Sequence, residues 1–239
     1  MRILGVDVDN LTRDEIHAQV ESFLREDRFH RVATVNPEFL VEAHRNPTFH
    51  GSLHAADLRV ADGFGIAVAF RLHRGKLKCR YPGADLTGYI LAKAERECLP
   101  VFFAVRKGGL SSFPEIREAL LEKYPGLIVD GEEIDGYRDA GYEISDTKYR
   151  ILLCNFGAPS QEIFLESFRE DPKGIRLAIG IGGTADFLTG KQRRAPRWMR
   201  MIGLEWLWRL VLRPKRIGRI WNAVAVFPWI AFLEKKNPR

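Results

Sequence analysis

The sequence predicts an α/β protein with a Rossmann-like, largely parallel sheet that is covered by helices on both faces. Two observations lead to this prediction. Strand-like and helix-like segments alternate along residues 1–190 at the spacing of β-α-β units. One predicted strand, at residues 100–105, is a continuous apolar run, which is typical of a buried parallel strand. The 239 residues are enough to bury a sizeable core.

The predicted elements can be placed in order along the chain. Residues 2–8 are predicted to form a strand, and Thr12 with Glu15 forms a capping box that begins a helix ending near residue 25. Apolar runs predict further strands at residues 31–35, 58–61, 100–105, 127–130, 150–155 and 176–181. Helical spacing of apolar residues predicts helices near residues 39–43, 65–72, 86–98 and 113–124, and another from residue 160.

Small, polar and acidic residues follow the predicted strands. Because ligands of open parallel sheets bind beyond the carboxyl ends of the strands, these residues are expected to converge on one edge of the sheet. The candidates at this edge are Thr34, Asn36, Asp62, Gly108, Gly109, Gly157, Gln161 and Gly183. The sequence therefore predicts a ligand site along this edge.

Asp62 is the carboxylate with the clearest catalytic position. It ends an apolar strand and is followed by Gly63 and Gly65, so little side-chain bulk surrounds it. Such a carboxylate can act as a general base on a sugar hydroxyl, although an Asp-Gly turn is the structural alternative. Thr34 and Asn36 flank another strand exit, where hydroxyl and amide groups suit sugar hydroxyls, although Asn-Pro is also a common turn.

Two glycine-rich turns could present backbone N–H groups to a phosphate. The turns are Lys107-Gly108-Gly109 and Gly180–Gly183. Neither matches the GxxxxGKS/T or GxGxxG patterns, and no acidic residue is placed to bind a ribose. A plain strand-to-helix connection is therefore an equal alternative, and a nicotinamide-dependent oxidoreductase is disfavoured. The sequence has no HExxH and no DxD motif after a strand, so we predict no metal and no cofactor.

The charge of the chain is uneven. Residues 1–190 hold 24 basic and 29 acidic residues, a net charge of −5, whereas residues 191–219 hold ten basic residues and one acidic residue, a net charge of +9. All five tryptophans lie after residue 190, and helical spacing of Leu204, Leu207, Trp208 and Val211 predicts a helix there, with a new one starting at Pro214. We therefore predict an α/β domain at residues 1–190 and a helical, basic and aromatic appendage at residues 191–239.

The composition of the appendage indicates an anionic partner. Guanidinium groups such as those of Arg209, Arg216 and Arg219 suit bidentate binding of phosphate, and interleaved tryptophans favour a membrane interface. A membrane surface or a lipid diphosphate is preferred, and single-stranded nucleic acid is the alternative. The longest apolar run, residues 220–233, is too short to span a bilayer, residues 1–8 do not form a signal peptide, and cysteines are few. These features predict a cytoplasmic protein that is peripheral on the inner face of the cytoplasmic membrane.

Six motifs occur in order along the chain. They are TVNPE at 34–38, ADL at 56–58 with ADGFG at 61–65, RYPGADL at 80–86, FGAPSQE at 156–162, GGTADFLTG at 182–190, and RAPRW at 194–198 followed by GLEWLWRL at 203–210, Pro214 and Arg216. On these motifs the chain resembles the WecG/TagA/CpsF family of bacterial glycosyltransferases, also called glycosyltransferase family 26. The chain departs from the family pattern at Ser160, where a basic residue is frequent, and at Ala185, where phenylalanine is frequent.

The resemblance implies an inverting, metal-independent transfer of a hexose or N-acetylhexosamine-type sugar. The donor would be a UDP-sugar, and the acceptor an undecaprenyl-diphosphate-linked saccharide in the synthesis of a cell-surface polysaccharide, an enterobacterial common antigen-like polymer or a teichoic acid-like polymer. Asp62 would be the base, Thr34, Asn36 and Gln161 would line the donor site, and Arg80 would meet phosphate or acceptor. The appendage arginines Arg209, Arg216 and Arg219 would meet the lipid diphosphate.

The resemblance also bears on assembly and on the rival function. In the family the appendage can be mobile and oligomers can pack near it, which implies a homo-oligomer as one form of this chain. The rival hypothesis is a non-catalytic nucleotide-binding module whose basic tail binds nucleic acid. A salt-dependent gel shift would discriminate the two, and we predict no nucleic-acid partner.

Overall fold

The computed structural model describes residues 1–135, 142, 144, 146–212 and 217–236, and only the backbone of Arg209, Arg219, Ile220, Lys235 and Lys236. Within these residues there are eight strands: β1 (Arg2–Ile3), β2 (Val6–Asp7), β3 (His30–Val35), β4 (Leu58–Ala61), β5 (Val101–Arg106), β6 (Val129–Ile134), β7 (Ile151–Cys154) and β8 (Leu177–Gly180). The helices of the main body are α1 (Arg13–Arg25), α2 (Pro37–Arg45), α3 (Pro47–Ala55), α4 (Phe64–Leu72), α5 (Gly83–Arg96), α6 (Phe113–Lys123), α7 (Ser160–Glu166) and α8 (Thr184–Leu188). The later helices are α9 (Arg197–Met201), α10 (Glu205–Leu212), α11 (Ile217–Trp221) and α12 (Phe227–Lys236), with a π-helical turn at Asn222–Val226.

The six strands β3 to β8 form one sheet in the order β4-β3-β8-β7-β5-β6. Every neighbouring pair is parallel, so the predicted parallel α/β sheet is confirmed. All strands therefore end at the same edge. The order of the strands reverses between the neighbours β5 and β7. From β5 the chain continues to β6 at one edge of the sheet, whereas from β7 it continues to β8 on the opposite side. Such a reversal opens a crevice between neighbouring loops.

Helices cover both faces of this sheet, as the sequence predicts. The side chains of β5 alternate: Phe103 faces a cluster formed with α1, α5 and α6, whereas Phe102 faces the opposite cluster, which includes residues of α7. A third cluster joins β1, β2 and β3 to α2, α3, α4 and α12. The alternation places one apolar layer on each face and leaves the strand ends free to carry polar groups.

The prediction of one strand over residues 2–8 is wrong, because the chain reverses there. The strands β1 and β2 form an antiparallel hairpin in which Arg2 lies opposite Asp7. Leu4 and Gly5 both have positive φ angles, 49° and 79°, and glycine adopts this conformation without a steric penalty. The alternating apolar residues of this segment therefore line a hairpin, which is separate from the main sheet.

The described part of the chain after Gly190 contains the helices α9 to α12, as predicted, and α12 contacts the main body. Phe227 and Ala231 of α12 are 1% and 0% exposed in the cluster with α2, α3 and α4. The Glu234 carboxylate accepts a hydrogen bond from the Leu4 backbone N–H at 2.9 Å. Pro214 lies outside the described residues, and the division into two domains stays a prediction. No helix in the described part of the chain is both long enough and apolar enough to cross a membrane.

The burial of α12 predicts a large stability effect at one face of this helix. We expect Phe227→Ala to lower the free energy of unfolding by about 3–5 kcal/mol, because a fully buried ring leaves a cavity. Urea denaturation followed by circular dichroism measures this change. The matched control is Trp229→Ala on the same helix, since Trp229 is 64% exposed and its loss should change stability by about 0.5 kcal/mol or less. Equal effects of the two substitutions would show that α12 is not docked in this way.

Candidate active site

A polar cavity of about 320 Å³ opens at the carboxyl edge of the sheet. Its walls come from the loops that follow β3, β4, β5, β7 and β8, including the crevice between β5 and β7. The sequence-predicted residues in its lining are Thr34, Asn36, Asp62, Gly108, Gly109, Gly157, Gln161 and Gly183. The structure therefore brings together the eight candidates that follow the strands.

A second cavity of about 270 Å³ adjoins the first one. Part of its wall is apolar and comes from Phe64 and Val68 of α4 and from Trp206, Val224 and Pro228 of the C-terminal helices. Four residues line both cavities: Asn36, Glu38, Asp62 and Glu205. Asp62 therefore lies at the junction between a polar cavity and a partly apolar one.

The backbone around Asp62 is held by close packing. The Asp62 N–H donates to the Val35 carbonyl at 2.8 Å, which extends the pairing of β3 and β4 by one bond. Gly63 has a φ of 89°, so the chain turns directly after the carboxylate to begin α4. A Cβ on Gly65 would lie only 2.5 Å from the Pro37 ring, so the beginnings of α4 and α2 can meet only because this residue is glycine. Asp62 is thus part of an Asp-Gly turn and also lines the cavity, so the two interpretations do not exclude each other.

Thr34 and Asn36 lie at the end of β3, and Asn36 has a structural role there. The Asn36 Oδ1 atom accepts the N–H of Phe39 at 3.0 Å and so caps α2, with Pro37 in the first turn. The oxygen of this side chain thus caps a helix, and the substrate-binding role of Asn36 stays a prediction. Thr34 is buried against Gly83, whose added Cβ would be 3.1 Å from the Thr34 hydroxyl oxygen. Both residues still line the polar cavity.

Gln161 joins the two glycine-bearing loops that follow β7 and β8. Its Oε1 atom accepts the N–H of Gly157 at 3.0 Å and the N–H of Gly182 at 3.1 Å. Both glycines have positive φ angles, 83° and 47°, which turn these N–H groups towards the same oxygen. We call this three-residue arrangement the Gln161 clamp. The clamp fixes the spacing between two walls of the polar cavity.

Arg80 lies at the second cavity, whereas the side chains of the predicted tail arginines are outside the description. Arg80 lines the second cavity, and its Nη2 atom donates to the Arg200 carbonyl of α9 at 2.8 Å. The backbones of Arg209 and Arg219 lie in α10 and α11, and their side chains are outside the description. Arg216 lies outside the described residues altogether. The roles of these four arginines stay predictions.

A different arginine from the tail reaches the polar cavity. Arg194 lines the cavity and binds the Asp85 carboxylate of α5 at 2.6 Å. Burial by itself would raise the pKa of Asp85, but the hydrogen bond from Arg194 and the positive charges of Arg194 and Arg200 lower the pKa below its ordinary value. Asp85 therefore stays ionised at neutral pH and holds a guanidinium beside the cavity.

Gln192 is a cavity residue that the sequence analysis missed. Its side chain is 6% exposed, it lines the polar cavity, and its Oε1 atom has no hydrogen-bond partner among the described residues. A buried oxygen without a partner costs about 1–3 kcal/mol, so an N–H donor on a ligand would be favoured there. Gln192 lies two residues after the end of the motif at 182–190 and follows no strand, so the sequence carries no signal for its position.

Within the part of the chain that the structure describes, no group of three or more His, Cys, Asp or Glu residues is arranged to hold a metal ion. The carboxylates that line both cavities are Glu38, Asp62 and Glu205. Carboxylates at the junction of the cavities can accept a proton from a ligand or bind a cationic group.

A parallel sheet with a polar crevice beyond its carboxyl edge places this chain among the α/β enzymes that bind ligands at the reversal of strand order. Comparison with known proteins defines the class more closely. A model of the glycosyl transferase WecG/TagA/CpsF family matches residues 1–239. The chain belongs to this family, and it is therefore a glycosyltransferase, which disfavours the non-catalytic alternative.

A curated relative supports this assignment. The chain is 31% identical over 194 residues to the N-acetylglucosaminyldiphosphoundecaprenol N-acetyl-beta-D-mannosaminyltransferase of Bacillus spizizenii. The match covers 79% of this chain and 74% of the relative. The name of that enzyme describes transfer of N-acetylmannosamine to a lipid-diphosphate-linked N-acetylglucosamine.

Proposed function

We propose that this chain transfers a hexose or N-acetylhexosamine from a UDP-sugar to a saccharide linked to undecaprenyl diphosphate, with inversion at the anomeric carbon and without a metal ion. The observation that carries the proposal is the position of Asp62, which lines a polar cavity and a partly apolar cavity at once. A transferase with one hydrophilic and one lipid-linked substrate needs a reacting group where the two substrates meet. The family relative named above acts on an acceptor of this kind.

The polar cavity suits the donor. Its volume of about 320 Å³ is at the lower end of the range for small-molecule sites. The glycine-rich turns at Gly108, Gly109 and Gly183 line the wall, and Arg106 and Arg194 bring cationic groups. The Gly109 N–H donates to the Arg106 carbonyl at 3.0 Å, so Gly108 and Gly183 are the glycines whose N–H groups we propose for a phosphate. These groups suit the diphosphate of a nucleotide sugar. The oxygen of Gln192 suits an N–H donor of the ligand, such as the imide of uracil or an acetamido group.

The second cavity suits the acceptor. Its apolar wall, formed by Phe64, Val68, Trp206 and Val224, can take an isoprenoid segment, while Arg80 lies close enough to meet a charged or polar group. The net charge of +9 over residues 191–219 favours the lipid diphosphate, and Arg209, Arg216 and Arg219 are the side chains proposed to bind it. In this arrangement the acceptor saccharide enters from the side of the tail and reaches Asp62.

The chemistry follows from this arrangement of the two substrates. Asp62 removes the proton of the acceptor hydroxyl as the hydroxyl oxygen attacks the anomeric carbon of the donor. The bond between that carbon and the diphosphate oxygen breaks on the opposite side, so UDP leaves and the configuration inverts. Guanidinium and backbone N–H groups stabilise the negative charge that develops on UDP, which is the role that a metal ion has in other transferases.

A lipid-linked acceptor places the enzyme at a membrane surface, and the C-terminal helices supply a suitable face. Exposed tryptophans at 198, 221 and 229 and exposed Met201, Ile202 and Phe232 lie among the basic residues of the tail. Tryptophan and basic residues favour the headgroup region of a bilayer with anionic lipids. We therefore propose peripheral association with the inner face of the cytoplasmic membrane. Association between copies of the chain stays a prediction.

A direct assay tests this function. Purified protein is incubated with an undecaprenyl-diphosphate-linked N-acetylglucosamine and a panel of UDP-sugars, and the lipid product is analysed by mass spectrometry. We expect one added sugar from at least one UDP-hexose or UDP-N-acetylhexosamine, at a rate that EDTA does not change. Absence of any product across the panel would overturn the donor and acceptor assignment, and loss of the product in EDTA alone would overturn only metal independence.

A further inference from the structure

Glu162 is a buried acid next to the Gln161 clamp, and it does not line either cavity. The two residues are neighbours at the beginning of α7, and they are 1% and 2% exposed. The Gln161 Nε2 atom donates to Glu162 Oε1 at 2.9 Å. The amide of Gln161 is thus held from both ends: its oxygen by two backbone N–H groups and its nitrogen by a carboxylate.

These contacts decide which way the Gln161 amide points. The N–H groups of Gly157 and Gly182 both donate to the Gln161 amide, and within that amide only Oε1 can accept a hydrogen bond. If the amide turned over, its NH₂ group would face these two donors and its oxygen would face the carboxylate. Glu162 accepts hydrogen bonds from Gln161 only when the amide is in the observed orientation, so it disfavours the turned state.

The surroundings leave Glu162 few other functions. Burial raises its pKa to about 7, although the hydrogen bond from Gln161 and the charge of Arg31 on β3 lower it. The Arg31 guanidinium forms its salt bridge with Glu166, at 2.8 Å, and not with Glu162. Glu162 Oε2 has no hydrogen-bond partner among the residues that the structure describes. Gln161 is therefore the side chain that Glu162 engages.

Gly180 at the end of β8 makes this arrangement sterically possible. A Cβ at Gly180 would overlap with the Gln161 amide and with the Glu162 carboxylate. The space for the pair thus lies directly against the last residue of a strand whose following loop forms a cavity wall. The amide and the acid fit there only because that position has no side chain.

We propose that Glu162 is a positioning residue of the donor cavity. By holding the Gln161 amide in one orientation, it keeps the Gly157 and Gly182 N–H groups on one oxygen, and so keeps the loops after β7 and β8 at the spacing that binds the donor. The inference deepens the proposed function and rests on it for the identity of the donor. The clamp itself is a property of the protein without substrate, so it can be tested separately.

Two substitutions of similar volume test this role. Glu162→Gln keeps an oxygen that can accept the Gln161 N–H, whereas Glu162→Met fills the space and cannot accept. We expect Glu162→Met to raise the KM for the UDP-sugar about ten- to hundredfold, because a hydrogen bond to a charged or buried group is lost, with the acceptor KM unchanged. We expect Glu162→Gln to stay within about threefold of the parent, since its acceptor atom remains. The same change at the exposed Glu118 of α6, Glu118→Met, is the control for removal of a charge.

Amide hydrogen exchange gives a readout that does not depend on activity. In Glu162→Met, exchange of the Gly157 and Gly182 N–H groups should accelerate, and in Glu162→Gln and Glu118→Met it should not. Gln161→Met removes the oxygen of the clamp and should raise the donor KM at least as much as Glu162→Met does, which covers the case in which Glu162→Met fails to fold. Unchanged exchange in a folded Glu162→Met protein, or an unchanged donor KM in Gln161→Met, would overturn the inference. Absence of transfer by the parent protein would overturn the proposed function, and the exchange rates would still decide the role of Glu162.

Discussion

Asp62→Asn is expected to lower the rate of sugar transfer about a hundred- to ten-thousandfold, which is the range for loss of a general base. The amide has nearly the same size and shape as the carboxylate, but it cannot take up the proton of the acceptor hydroxyl. The backbone at this position is fixed by the Val35 hydrogen bond and by the Gly63 turn, so the fold should not change. The loss should therefore appear in kcat, with little change in the binding of the donor.

The measurement is the turnover rate with both substrates saturating, together with thermal unfolding to check the fold. Asp14→Asn on the exposed surface of α1 is a suitable control, because it removes one negative charge from a residue that lines neither cavity. A rate close to that of the parent would remove Asp62 from the mechanism. If Glu38→Gln or Glu205→Gln caused the loss instead, the base would be one of the other carboxylates at the junction of the cavities.

The second large effect is expected at the outer face of α12. Trp229 and Phe232 are three residues apart, so they share one face of the helix, and they are 64% and 41% exposed. The opposite face carries the buried Phe227 and Ala231. A helix that is apolar on both faces has a second apolar surface to cover, and the proposed membrane association would cover it with anionic lipid beside the basic tail. Replacing both aromatic residues with glutamine should lower the affinity for anionic vesicles about a hundredfold or more, at about 1.5–3 kcal/mol for each ring.

Vesicle sedimentation with phosphatidylglycerol-containing liposomes measures this affinity. The control is the double variant Ile128→Gln and Ile163→Gln, which removes two exposed apolar side chains from the main body and should leave vesicle binding unchanged. Unfolding curves should be nearly equal for the parent and for the Trp229→Gln, Phe232→Gln protein, since both side chains lie on the surface. Vesicle affinity that survives the loss of both rings would place the membrane contact elsewhere.

Most of the fold could be predicted because buried parallel strands leave a strong signal in the sequence. Continuous apolar runs such as those of β5, β7 and β8 are long enough to be recognised without any partner. The edge strand β6 was predicted at residues 127–130 but occupies Val129–Ile134. Its polar residues Asp130, Glu132 and Glu133 are tolerated because they are exposed and, among the described strands, β6 pairs only with β5. Pairing with β5 thus places polar residues in a strand, although their low strand propensity does not predict one.

The lining of the polar cavity could also be predicted, and most of the second cavity could not. Residues that directly follow strands, such as Thr34, Asp62 and Gly183, meet at one edge by topology, so their sequence positions are informative. The second cavity forms between α4 and helices more than 130 residues away, since Phe64 and Trp206 both line it. The spacing of apolar residues along the sequence does not predict which distant helices pack together. The Gln161 clamp was hidden for a similar reason, since its role depends on where two glycine N–H groups point.

The docking of α12 has a consequence for how the protein is made. A ribosome releases the amino end first, so the β1–β2 hairpin and α2 to α4 emerge long before the helix that completes their cluster. Contacts between residues so distant in sequence form slowly, and an apolar surface that waits for its cover is prone to aggregate. The nascent chain therefore carries an uncovered apolar surface until the residues of α12 have been synthesised. Chaperone binding to ribosome-held intermediates should end only when residues near Phe227 have left the exit tunnel.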